Sequence, residues 1–236
     1  MKGFLTLLAL TVAFTATSQE RATIKRLKKN KQICKAFAEQ SIQEISDGVL
    51  LVRLNFRQKQ IDYLNNQKDS STANQVKKRA MNVNKKIATA FKEKFDFCTV
   101  YFFKMSDSKY LKNQQFDSLT FYDHSFNEID SSKLEVDNYL IGEFSRIKQD
   151  TSYYYDENLI DTSKEKPKQK TYYGGSKNGR EAFIIMDRQF QQIQKPFPYF
   201  AGLQAVLSEG TRFKKALELI NQKLHSYSSQ VGTKEE

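Results

Sequence analysis

Cys98, His124 and Glu143 are the side chains whose chemistry could do more than fill space. A thiol, an imidazole and a carboxylate can act as nucleophile, proton carrier and general acid or base. Their neighbours narrow this. The chain has two cysteines and two histidines. Neither Cys34 nor Cys98 belongs to a C-x-x-C pair, so a dithiol redox centre and a zinc knuckle are unsupported. Neither His124 nor His225 has a histidine or cysteine partner one helical turn away, and no metal site is assigned. Asp107, Asp117 and Asp123 lie near His124 in sequence, but aspartates in a Ser/Asn-rich stretch are ordinary turn residues. No G-x-S-x-G elbow is present for a serine nucleophile. No catalytic residue and no cofactor is therefore assigned. An enzyme of undetermined class, built from Cys98, His124 and Glu143, stays open as the alternative to a binding protein.

The segment TYYGGSKNGREAFIIMD (171–187) has the glycines of a phosphate loop. A Walker-type loop needs Lys-Ser/Thr after its last glycine and a helix beyond it. Here Gly179 is followed by Arg180 and Glu181, and then by AFIIMD, which is strand-like. Asn178-Gly179 between β-prone runs signals a hairpin instead. Tyr172 and Tyr173 flank a lysine-rich loop, DENLIDTSKEKPKQK (156–170), and Tyr153 to Tyr155 lie on its other side. Aromatic rings interleaved with cations can stack sugars or bases, and they also pair across strands. The candidate binding face is accordingly Tyr172, Tyr173, Lys177 and Arg180 with Lys164, Lys166 and Lys168. Cys34 and Cys98 could form a disulfide in an oxidising compartment, or remain two small buried thiols.

The compartment is read from the first residues. MKGFLTLLALTVAFTATSQE has one lysine, an apolar run from Phe4 to Phe14, and small residues ending at Ser18. This is the pattern of a secretory signal peptide with cleavage before Gln19. The apolar run is shorter than the roughly 20 residues that span a bilayer. No later segment reaches that length, so no transmembrane segment is expected after cleavage. The expected location is periplasmic or extracellular. Lys and Arg outnumber Asp and Glu by 38 to 27, a formal charge of +11. Such an excess favours anionic partners. Export disfavours nucleic acid and leaves an anionic envelope component or another protein.

These residues need a scaffold, and the apolar spacing predicts one. Residues 20–46 place Ile24, Leu27, Cys34, Phe37, Ala38, Ile42 and Ile45 at helical intervals, and Asp47-Gly48 ends the helix. VLLVRLNF (49–56) is a buried strand. A short helix to about Asn66 follows. Thr72 and Gln75 form a capping box, so a long helix is expected from Ala73, with Val76, Ala80, Val83, Ile87, Phe91 and Phe95 on one stripe. Its Lys77, Lys78, Lys85, Lys86, Lys92 and Lys94 are read as the solvated face of a core-packed helix. FCTVYFFKM (97–105) is a central strand parallel to the first. FYDHSFNEID is a strand or turn, YLIGEFSRI (139–147) and AFIIMD (182–187) are strands, and QKPFPYF is a turn or extended segment. Phe213, Leu217, Ile220 and Leu224 define a last helix from Gly210.

The expected fold is thus α/β, a mixed sheet of about five strands packed by amphipathic helices. It forms a single domain over 19–228 after a signal peptide at 1–18, with a polar tail at 229–236. No internal repeat is apparent. KFDFCTVYFFKM (94–105), AFIIMDRQF (182–190) and PFPYF (196–200) resemble a family of exported bacterial proteins of unknown function, over most of the mature chain. That resemblance implies secretion and supplies no catalytic residues. The strand order and the FIIMD…PFPYF ending are also similar to thioredoxin-like domains, without their redox dithiol.

Overall fold

The computed structural model describes residues 31–129, 138–148 and 179–232. A seven-stranded mixed sheet forms the centre, in the order β4-β3-β2-β1-β5-β6-β7. Its strands are β1 (Val49–Leu54), β2 (Thr99–Lys104), β3 (Phe121–Tyr122), β4 (Glu128–Ile129), β5 (Tyr139–Arg146), β6 (Glu181–Met186) and β7 (Phe200–Gly202). β1 lies between β2 and β5 and is parallel to both. The outer strands are antiparallel to their neighbours. This is the expected α/β class. The two extra strands are short ones, β4 and β7, whose two and three residues carry too little alternation to register as a pattern.

The helices are α1 (31–46), α2 (Gln58–Asn66), α3 (Ser70–Lys94), α4 (Ser108–Lys112) and α5 (Glu209–Gly232). Among the described residues no helix is long and apolar enough to cross a membrane. α3 begins three residues before the expected Ala73. Its cap is Asp69, whose carboxylate accepts the Thr72 backbone N–H. A carboxylate caps as well as a hydroxyl does and also meets the positive end of the helix dipole. α5 runs on into the stretch expected to be a tail, because Val231 is buried and extends the apolar stripe by a further turn.

Pleating sorts the core onto two faces. Val52 pairs in register with Phe102 and Gly142, and Gly142 with Ile185. On this face Phe91 of α3 meets Phe102 and Phe183 edge-on, and Phe213 of α5 meets Phe144. Gly142 makes room for the Phe183 ring, since a Cβ there would lie 2.7 Å from it. Leu51 pairs with Tyr101 and Ile141 on the opposite face. The segment after β2 returns across that side, where Phe116 packs on Tyr139. Asn84 is buried within the apolar stripe of α3, and its amide donates to the Asn55 carbonyl just past β1.

The structure also reveals a repeat. Asp123-His-Ser-Phe126-Asn127 and Asp187-Arg-Gln-Phe190-Gln191 form the same loop. In each, the aspartate N–H donates to the carbonyl four residues on, and the phenylalanine N–H returns to the aspartate carbonyl. The aspartate Oδ1 then accepts the backbone N–H groups two and four residues ahead. Phe126 and Phe190 both take left-handed backbone, with φ of 64° and 60°. Only the aspartate and the phenylalanine are identical between the two loops, which hides the repeat in the sequence.

Candidate functional sites

Arg53 and Glu143 make the most buried charged contact between described residues. Arg53 is the penultimate residue of β1, and Glu143 lies beside it on β5. One carboxylate oxygen accepts from both Nε and Nη2 of the guanidinium, and the side chains are 20% and 10% exposed. Nη1 reaches the Ser108 hydroxyl at 3.4 Å, which itself donates to the Met105 carbonyl. The Phe190 ring covers the guanidinium at 5.1 Å. The cluster gathers at the C-terminal ends of three parallel strands, where the chain leaves β1 to one side for β2 and later to the other for β5. Open α/β sheets place ligands at such a switch point. Here the charges are already neutralised within the pair, so the arrangement ties β1 to β5 and reaches the first residue of α4.

The three residues named for catalysis are not brought together. The His124 ring sits edge-on to Phe102, on the face opposite Arg53 and Glu143. Burial pushes its imidazole below the ordinary value, Asp123 works against this, and Lys92 adds to it. Asp123 spends its carboxylate on its own loop. Partial burial opposes its ionisation, but bonds from Asn127 and Ser125 outweigh this and keep it below the usual carboxylate range. Asp117 is exposed and Asp107 accepts from Ser106, so no acid–base cluster forms with His124. Burial pushes the Cys98 thiol up to about 12, with a bond from the Leu50 backbone opposing the rise. At that value it is a proton-bearing hydrophobe at neutral pH. No disulfide joins Cys34 to Cys98. His225 meets Asp96 at 2.9 Å; together with Asn221 it lowers the Asp96 carboxyl and ties the turn before β2 to α5. No group of three or more His, Cys, Asp or Glu among the described residues could hold a metal ion.

Of the candidate binding face, Arg180 is described. It is exposed, its carbonyl accepts from the Ile147 N–H, and its guanidinium lies over Gly202, close enough that a Cβ there would stand 2.9 Å away. Gly179 beside it has a φ of 71°, the conformation a turn glycine supplies. Tyr172, Tyr173, Lys177, Lys164, Lys166 and Lys168 lie outside the described residues, as do the signal segment and Asn178.

Five of the six lysines of α3 divide into two groups, and Lys77 stands exposed beside Lys78. Lys86 pairs with Glu209 and Lys94 with Glu218, both across to α5, and Lys214 of α5 returns the contact to Glu93. These are interhelical ties on a partly buried flank. Lys78, Lys85 and Lys92 are exposed and make no ion pair with a described residue. Their seven-residue spacing puts them on one line, because two turns of helix take 7.2 residues. The sequence reading treated all six expected lysines as one solvated face. The division needed the position of α5, which apolar spacing does not give. Comparison of the chain with protein-family models, curated proteins and solved structures finds no match.

Proposed function

We propose that this chain is an exported, non-catalytic binding protein of the cell envelope that engages an anionic component through a basic face. The row of Lys78, Lys85 and Lys92 carries the reading. It stands exposed with no carboxylate among the described residues to neutralise it, on a chain of formal charge +11. A field of that sign raises the local concentration of anions and speeds their capture. The potential catalytic groups support the same reading by their commitments: Cys98 is held protonated, His124 is packed on Phe102, and Glu143 is paired with Arg53. Arg180, Tyr172, Tyr173, Lys164, Lys166, Lys168 and Lys177, read from the sequence, form a second proposed binding set, independent of the row.

Retention on an anionic matrix tests it. Binding should weaken steeply as salt shortens the range of exposed charges to a few ångströms. Two sets of glutamine substitutions, one at 78, 85 and 92 and one at 164, 166, 168 and 177, should each reduce it. Retention that ignores salt and both sets would refute the reading.

A further inference from the structure

We infer that the α3 face takes a linear acidic polysaccharide lying along the helix axis. This rests on the proposal that the basic face binds an anion, and it adds which kind. Successive lysines of the row stand about 10.5 Å apart, and the row is about 21 Å long. On the same strip Asn82 and Thr89 fall between them and Asn74 lies one turn before Lys78, all exposed. The surface therefore alternates a cation with a neutral amide or hydroxyl at each helical turn. An acidic polysaccharide has the complementary pattern, with one carboxylate or sulfate separated from the next by neutral hydroxyls.

Two other polyanions fit less well. Bilayer attachment of a helix needs apolar side chains to enter the acyl boundary. The apolar stripe of α3, including Ala80, Ile87 and Phe91, is buried against the sheet. Nucleic acid carries about one charge per 1.7 Å of duplex axis, far denser than this row. On the α5 side Glu209 and Glu218 cancel Lys86 and Lys94, while Lys77 and Arg79 stand exposed on either side of Lys78.

The experiment uses the full exported chain with four probes. These are heparin-derived di- and octasaccharides, phosphatidylglycerol vesicles and a single-stranded oligothymidine. Affinity should rise from disaccharide to octasaccharide as the second and third lysines are reached. The K78Q/K85Q/K92Q variant should lose roughly tenfold or more for the octasaccharide, with a shallower salt slope by about one per lysine removed. A control variant, K59Q/K109Q/K112Q, changes net charge equally off the row and should lose much less. Circular dichroism identical to wild type establishes that both variants are folded. Equal losses in the two variants would overturn the row. Vesicles or oligothymidine bound in preference to the octasaccharide would overturn the polysaccharide and leave the anion reading standing. Binding to none of the four would remove both.

Discussion

Removing the Glu143 carboxylate should destabilise the protein far more than an ordinary surface substitution. In Glu143→Ala the guanidinium of Arg53 stays in place, four-fifths buried and covered by Phe190, with its main acceptor gone. Breaking one side of a buried pair costs about 3–5 kcal/mol, since a desolvated charge is left uncompensated. Arg53 keeps some access to water, so the lower end, about 3 kcal/mol, is expected. In urea unfolding followed by far-ultraviolet circular dichroism, with a slope of about 2–3 kcal/mol per molar, the midpoint should fall by roughly 1–1.5 M. The melting temperature should fall by about 6–12 °C. The paired replacement R53M/E143L removes both charges and keeps apolar volume. It should lie within about 1 kcal/mol of wild type, because the desolvation of both ions is also relieved. A double-mutant cycle then returns a large coupling. Glu143→Ala within about 0.5 kcal/mol of wild type, or additive single effects, would show that the pair does not bind β1 to β5 as argued.

Two further outcomes follow from local geometry. With its thiol near 12, Cys98 should react with iodoacetamide at pH 8 roughly a thousandfold more slowly in the folded protein than after unfolding, because the thiolate reacts. Site-resolved mass spectrometry reads this, and fast native labelling of Cys98 would contradict its burial. Asp69 is held below the ordinary value of 3.8 by bonds from the Thr72 hydroxyl and N–H. A carboxyl depressed on folding adds stability above its unfolded value and loses it as pH falls through the folded one. Wild type should therefore be more stable than Asp69→Ala at pH 5–7, about the neutral range. The difference should close as the pH drops below 3.8. An unfolding series across pH measures this; Gln75→Ala should show no such dependence, and a difference that persists in acid would refute the cap.

Much of the framework was legible because it rests on local repetition. The β-branched run of 49–54, the aromatic strand at 99–104 and the stripes of α3 and α5 each declare their period within one segment. So did the weakness of the phosphate-loop reading at Gly179, since the loop leads into a strand. The start of α3 was misjudged because Asp69 and Thr72 are both competent caps, and only the backbone geometry selects between them. The short strands β4 and β7 exist through pairing with neighbours distant in sequence, so their own residues say little.

Sequence by itself determined the α/β class, the basic charge and the absence of familiar catalytic spacings. Tertiary structure decided which charges are spent. Glu143 could have pointed to either side of its strand, and it is the register of β5 against β1 that sets it beside Arg53. The lysines of α3 look alike along the chain, yet α5 supplies glutamates to two of them and leaves Lys78, Lys85 and Lys92 as a row. Pairing of this kind depends on residues some ninety to one hundred and twenty positions apart. Helical and strand periods report which side of an element is apolar, while the neighbour that neutralises a charge is fixed only when the elements pack.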